Sequence, residues 1–214
     1  MSGAASFGMH DSLYARHFKR AFDVAAAFAG LVALSPVLLA VAAAIKLLDP
    51  GPVLFRQTRV GLGSRPFEIL KFRTMRAGGG GPQITAGGDS RVTPLGRLLR
   101  KSKLDELPQL FNVLRGEMSV VGPRPEVPRY VEMFKKDYEQ ILSVKPGLTD
   151  YAAIKYRDEE TLLGAYGDAE AAYATKVLPD KIALYRRYIA DAGFATDLKI
   201  ILATASRLVA GRRA

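Results

Sequence analysis

Val24 to Ile45 reads VAAAFAGLVALSPVLLAVAAAI, a run without a charged residue. As a helix rising 1.5 Å per residue it covers about 33 Å, enough for the hydrocarbon core of a bilayer. Ala42 to Ala44 imitate a signal-peptide cleavage site, but the apolar stretch is longer than a signal peptide uses. Ser35-Pro36 falls in its middle. Pro removes a backbone donor and crowds the preceding turn, and a Ser hydroxyl can bond a carbonyl freed by the bend. Arg16, Lys19 and Arg20 precede the run, while Lys46, Arg56 and Arg59 follow it, so the positive-inside bias favours translocation of neither end. Two readings stay open: a Pro-kinked transmembrane helix, and a hairpin that enters the bilayer and returns on the same side.

The chain around this segment has 214 residues, enough to bury a core as one domain with an appendage. Its 31 Lys and Arg against 21 Asp and Glu give a net charge of +10, and a hydrophobic fraction of 49% rules out disorder. A basic, apolar chain points to a polyanion: nucleic acid, an anionic membrane surface or a phosphorylated substrate. Nucleic acid is disfavoured, because there is no Trp and the Tyr residues lie mainly in the last third, leaving few stacking platforms. Without Cys there is no thiol nucleophile, disulfide or thiolate metal site. The two histidines, His10 and His17, both sit in the amino-terminal tail, which argues against a zinc site or a Ser-His-Asp triad. Chemistry is left to carboxylates, cations, hydroxyls and a hard metal.

After the apolar run, Pro and Gly in DPGPVLFRQTRVG (Asp49 to Gly61) end the helix, and Val53 to Phe55 begin a strand. It pairs with the alternating PFEILKFRTM (Pro66 to Met75), Gly61 to Gly63 forming the turn; Lys71 and Arg73 fall on one side. Ala77 to Asp89 is a Gly-rich loop, a linker or a mobile lid. Thr93-Pro94 start a helix with Leu95, Leu98 and Leu99 as its apolar stripe and Arg97, Arg100 and Lys101 opposite. A second helix opens near Asp105 and closes at Gly116, which puts Asp105 and Glu106 at a helix N-terminus. Met118 to Pro128 reads as a short strand running into a stiff segment that locks Arg124 between two prolines. Further helices are expected at Val131 to Leu142, Ala169 to Lys176, Asp180 to Ala190 and Asp197 to Val209, the last capped by Thr196. The last two mix Tyr185, Tyr188, Ile200 and Leu208 with Arg186, Arg187 and Arg207, which suits a membrane surface or an ordinary packed face equally. The fold class is α+β, mostly helical.

Adjacent carboxylates repel unless cations, amides or a metal compensate, and Arg97, Arg100, Lys101, Lys103 and Arg124 surround Asp105-Glu106 in the sequence. An acidic pair inside a basic cluster is how a phosphoryl-transfer site is built: cations hold phosphate oxygens, a hard ion takes one carboxylate, and a second carboxylate can attack phosphorus. A plain structural reading stays open beside it, with Asp105 capping the helix, Glu106 in a surface ion pair and Arg124 a buried structural arginine.

These residues also carry a resemblance. KRAFD (Lys19 to Asp23), the apolar segment with Ser35-Pro36, DPGPVLFRQTRVG, KFRTM (Lys71 to Met75), LRKSKLDELPQLFNVLRGEMSVVGPRP (Leu99 to Pro125) and KPGLT (Lys145 to Thr149) resemble the bacterial sugar transferase family. These are monotopic polyprenyl-phosphate phosphoglycosyl transferases, and the likeness is to the small members with a catalytic domain alone. The resemblance implies a bacterial inner-membrane enzyme at the cytoplasmic face that moves a phospho-sugar from a UDP-sugar to undecaprenyl phosphate and releases UMP. This would be the first membrane step of glycoconjugate synthesis, ahead of downstream glycosyltransferases. It implies Asp105 as the nucleophile of a covalent phosphosugar intermediate and Glu106 as the ligand of Mg²⁺ or Mn²⁺. Arg100 and Arg124 are then phosphate binders, with Lys71, Arg73, Lys19 and Arg20 as further anion contacts. It also chooses the re-entrant hairpin broken at Ser35 and Pro36, with interfacial amphipathic helices. The implied divisions are a tail at 1–18, the membrane helix at 19–48, a catalytic core at 49–150 and a helical extension at 151–214. After KPGLT the chain departs from the common pattern, reading DYAAIKYR at Asp150 to Arg157, so subfamily and sugar stay open. The competing expectation is a basic membrane-attached protein that binds anionic lipid or nucleic acid without catalysis; it leaves the acidic pair unexplained.

Overall fold

The computed structural model describes residue 14, residues 18–76 and residues 84–210. Most of the tail, with His10, His17 and Arg16, and the Gly78 to Gly81 part of the Gly-rich loop lie outside the described residues.

The apolar run is one continuous helix, α1 (Lys19–Leu48), with Pro36 inside it. Pro36 has no N–H to give the Val32 carbonyl, and Ser35 Oγ donates to that carbonyl at 2.8 Å, relieving the defect locally. By length and composition α1 can cross a membrane. Its middle is bare: Phe28, Val32, Val37 and Leu39 are exposed, whereas Asp23, Ala27 and Ile45 toward the two ends are buried. Both halves rest on the same globular body. Asp23 Oδ1 accepts from Ser119 Oγ and the Val120 N–H, each at 3.0 Å. At the far end Ile45 packs with Phe72 and Leu99.

Strands β1 (Leu54–Val60) and β2 (Pro66–Phe72) form the expected antiparallel pair, from Leu54 opposite Phe72 to Val60 opposite Pro66. A 3₁₀ turn at Leu62–Ser64 joins them, with Gly63 at φ 62 and Ser64 at φ 63. Thr93 caps α2 (Pro94–Ser102), its side chain accepting from the Gly96 N–H at 2.9 Å. Leu99 is buried, but Leu98 points outward at 61% exposure, leaving a narrower stripe than the spacing suggests.

The acidic pair is not in the first turn of an α-helix. Lys103 turns left-handed at φ 58, Leu104–Glu106 form a 3₁₀ turn, and α3 (Gln109–Arg115) begins only after Pro108. Pro108 cannot donate to the Leu104 carbonyl, so the bonding here runs to the third residue, with Leu107 N–H reaching Leu104 O at 3.3 Å. Gly116 closes α3 at φ 84 as expected.

Beyond this, β3 (Ser119–Val121) pairs in parallel with β4 (Gly147–Thr149), a strand too short for its pattern to register. Gly122 and Gly147 let the two backbones meet, since a Cβ on Gly147 would collide with the Gly122 backbone. The helix expected at Val131 to Leu142 is two, α4 (Pro128–Met133) and α5 (Lys135–Ile141), broken at Phe134. Two short helices, α6 (Tyr151–Lys155) and α7 (Glu159–Gly164), follow where none was expected. Then α8 (Ala169–Ala172) runs through a π turn at Tyr173–Val177 into α9 (Leu178–Asp191). The last helix, α10 (Phe194–Ala210), starts before Thr196, whose hydroxyl donates to the Asp191 carbonyl instead of capping. Tyr185, Tyr188 and Ile200 are core residues, joined by Tyr130 and Tyr138, so for them the packed-face reading holds. A smaller cluster of Ala27, Ile69, Leu110, Val113 and Met118 seats α1 on α3 and β2.

Candidate active site

A cavity of about 1400 Å³ opens between β1–β2, the 104–106 turn and the C-terminal helices. Lys71, Arg73, Arg100, Lys103, Asp105, Glu106 and Arg124 all line it. The sequence therefore placed most of its site residues around one space, although they come from three separated stretches.

Glu106 is the hub. Lys71 Nζ donates to its Oε1 at 2.9 Å, and Arg124 grips both oxygens, Nη1 reaching Oε2 at 3.1 Å and Nη2 reaching Oε1. Burial pushes the Glu106 carboxyl up, but Arg124 and Lys71 together outweigh it and hold it well below the usual range. Burial lowers Lys71, with Glu106 opposing. Burial also works against the Arg124 charge, and Glu106 reverses the balance, raising it.

Asp105 is the opposite case. It is 7% exposed, and its Oδ1 is buried with no hydrogen-bond partner among the described residues. It caps nothing, so the plain structural reading of this residue fails. Cations nearby were expected to favour its ionised form; instead burial first, and Glu106 second, push its carboxyl up to about 6 against Lys71, Lys103 and Arg100. At neutral pH it is still mostly a carboxylate, held without a partner on the cavity wall.

The other predicted residues divide. Arg100 lines the cavity, with Nε on Thr74 Oγ1 at 2.8 Å and Nη1 on Glu160 at 2.6 Å. Arg73 is 7% exposed and turned toward the end of α1, its Nη2 donating to the Asp49 carbonyl and its Nη1 against Gly51, where a Cβ would collide. Lys19 and Arg20 do not line the cavity. Lys19 Nζ is spent on Asp197 at 2.6 Å and the Val121 carbonyl at 3.0 Å. Arg20 donates to the Val113 and Leu114 carbonyls at 2.6 and 2.9 Å, covering the end of α3. Both lie at the foot of α1, where the nearest unsatisfied groups are backbone carbonyls and a buried carboxylate.

Sequence reasoning missed the residues that hold Arg124 in place. Asp150, 1% exposed, accepts the Arg124 N–H at 3.0 Å and the Ala153 N–H at 2.6 Å, tying the stiff proline segment to the start of α6. Burial raises its carboxyl. An Asp ahead of YAAIK is a legible helix cap, but nothing local tells that its second partner lies on the GPRP segment. Glu159 and Lys181 also reach the cavity and pair with each other.

No group of three or more His, Cys, Asp or Glu side chains placed to hold a metal exists among the described residues. Glu106 has three of its roughly four acceptor positions engaged, and Asp105 keeps one oxygen unpaired. Such an oxygen-only, partial donor set fits an ion that draws the rest of its shell from water and phosphate, as Mg²⁺ does.

The model of the bacterial sugar transferase family matches residues 14–211. A UDP-glucose:undecaprenyl-phosphate glucose-1-phosphate transferase of Caulobacter vibrioides is 42% identical over 196 residues, 89% of this chain and 69% of the relative. A UDP-N-acetylgalactosamine-undecaprenyl-phosphate N-acetylgalactosaminephosphotransferase of Aeromonas hydrophila is 46% identical over 143 residues, 64% of this chain but 33% of the relative. An exopolysaccharide production protein of Rhizobium leguminosarum bv. phaseoli is 37% identical over 204 residues, 91% of this chain and 96% of the relative. With the family matched along nearly its whole length around a buried acidic pair, the chain belongs to the bacterial sugar transferase family and is a transferase.

Proposed function

We propose that this protein transfers a sugar phosphate from a UDP-sugar to undecaprenyl phosphate in two displacements at Asp105, as an early step of exopolysaccharide or related glycan synthesis. The observation that carries the reading is Asp105 itself: buried on a cavity wall, with one oxygen unpaired beside a Glu106 clamped by Lys71 and Arg124. A carboxylate oxygen of Asp105 attacks the sugar-linked phosphorus, the bond from that phosphorus to the bridging oxygen breaks, and UMP departs with the electron pair. A phosphate oxygen of the lipid then attacks the same phosphorus and the Asp105 carboxylate leaves. Lys71 and Arg124 present fixed positive charge where the transferred phosphoryl oxygens gather charge. Glu106 would hold Mg²⁺, with Asp105 nearby, and the ion when bound would neutralise diphosphate charge. Two sequential half-reactions let one small cavity serve a soluble donor and a membrane-bound acceptor in turn.

In the same proposal α1 is a re-entrant helix and the protein is monotopic on the cytoplasmic face of the bacterial inner membrane. What supports this is the symmetry of basic flanks, the Ser35-Pro36 defect, and the attachment of both halves of α1 to one globular body, with only its middle bare. Exposed Phe194, Leu198 and Leu202 on α10 suit an interfacial helix. Cysteines introduced at Ser12 and Ser64 are both expected to resist an impermeant thiol reagent in intact cells; labelling at Ser12 alone would mean a true crossing.

The enzymatic test is UMP release from a UDP-sugar in detergent with Mg²⁺. With undecaprenyl phosphate, turnover is expected. Without it, one equivalent of UMP and a phosphosugar adduct on Asp105, seen by mass spectrometry, are expected. Turnover with lipid but neither adduct nor stoichiometric UMP without it would mean direct transfer in a ternary complex.

A further inference from the structure

We propose that Glu159, Lys181 and Tyr156 form the subsite for the neutral sugar ring of the nucleotide-sugar donor, an assignment that rests on the donor reading above. All three line the same cavity as Asp105 and Glu106, and all come from the C-terminal helices beyond the recognisable motifs. Lys181 is a deeply buried cation, its side chain 6% exposed, paired with Glu159 and lying 5.0 Å from the Tyr173 ring centroid and 5.9 Å from that of Tyr156. The Tyr156 ring is fixed by its hydroxyl, which donates to Asp180 at 2.7 Å. This wall encloses the same space as the reacting groups, Glu159 and Lys181 lining it together with Asp105, Glu106 and Arg124.

Charge decides which part of the donor belongs where. The diphosphate carries the negative charge and belongs with Lys71, Lys103 and Arg124. A hexose carries none, yet each hydroxyl gives and takes a hydrogen bond. A Glu–Lys pair offers acceptor and donor with no net charge, and a site built to bond a hydroxyl rejects an analogue that presents it differently, because its own buried polar groups are then left unmatched. An aromatic face beside the pair suits the C–H face of a pyranose ring. The wall also includes the end of the Asp150 to Arg157 segment, where this chain departs from the common family pattern.

The test compares UMP release from UDP-glucose, UDP-galactose, UDP-N-acetylglucosamine and UDP-N-acetylgalactosamine by the wild type, Lys181→Met and Glu159→Gln. Both variants are expected to raise KM for the preferred donor about ten- to hundredfold and to flatten the preference among the four, with UMP inhibition unchanged. If Lys181→Met does not fold, Glu159→Gln, which keeps the side-chain volume, decides alone. An equal loss with all four donors makes the pair a structural support and overturns the proposal. Weakened UMP inhibition places the pair at the nucleotide end and also overturns it. No UMP from the wild type with any donor removes the donor reading itself, a different result from either.

Discussion

Two walls of one cavity hold charge in different ways. On the motif wall, Asp105 and Glu106 are neighbours with opposite fates: Glu106 takes Lys71 and Arg124 for itself, and Asp105 is left buried and underserved. On the C-terminal wall Glu159 is paired with Lys181, and Glu160 reaches across to Arg100 of α2. The motif wall leaves one carboxylate without a cation of its own, and the Glu159–Lys181 pair on the other wall can face a neutral group. A site that places carboxylates side by side but unequally supplied can separate a nucleophile from a cation holder.

The largest break of this contrast is Asp105→Asn, expected to lower turnover on the order of 10⁴-fold and to abolish the adduct. It should also stabilise the fold. The native carboxyl titrates at about 6, against 3.8 for an aspartate free in water, so the native state holds its proton more tightly, and ionising it costs stability as pH rises through that window. Above pH 6 the variant should therefore be more stable by up to about 3 kcal/mol, a gain that vanishes below pH 4. Urea melts from pH 4 to 8 check this; equal stability throughout would mean that Asp105 is not destabilised by its burial.

Glu106→Gln should have the reverse signature. Its depressed carboxyl contributes stability above its unfolded value and loses it as pH falls, so the variant should be destabilised at pH 7 and approach the wild type in acid. Lys71 and Arg124 would then face each other without a counter-charge. Turnover should fall about 10²-fold, and chelator should silence the wild type until Mg²⁺ returns. Full activity in chelator would discard the metal.

Between pH 7 and pH 5 the lipid-independent burst of UMP should slow about tenfold in rate, because the reactive form of Asp105 is lost below its value of about 6. A flat profile would move the nucleophile elsewhere. The smallest expected effect joins the two walls. Asp150→Ala removes the acceptor for the Arg124 and Ala153 N–H groups, costing about 1 to 2 kcal/mol and several-fold in activity through looser placement of Arg124. Tighter donor binding in this variant would contradict that positioning role.

Much of the molecule was legible along the chain because its signals are local. An uncharged run long enough for a bilayer, a Pro with a Ser beside it, Thr93 before Pro94, Gly116 at a left-handed position and the alternation of Pro66 to Phe72 each act through neighbours a few residues away. The acidic pair among basic residues could be picked out for the same reason. Tertiary structure decided what distance in sequence conceals. Pro108 and Lys103 recast the helix start as a 3₁₀ turn, and Lys71 arrives from β2 to meet Glu106. Lys19 and Arg20, identical in type to the site cations, are drawn to Asp197 and to helix-end carbonyls at the foot of α1. A Lys or Arg is committed by whichever buried acceptor the fold brings within about 3 Å of it, and burial sets whether a carboxylate nearby is calmed or left reactive; neither quantity exists until the chain has closed around them.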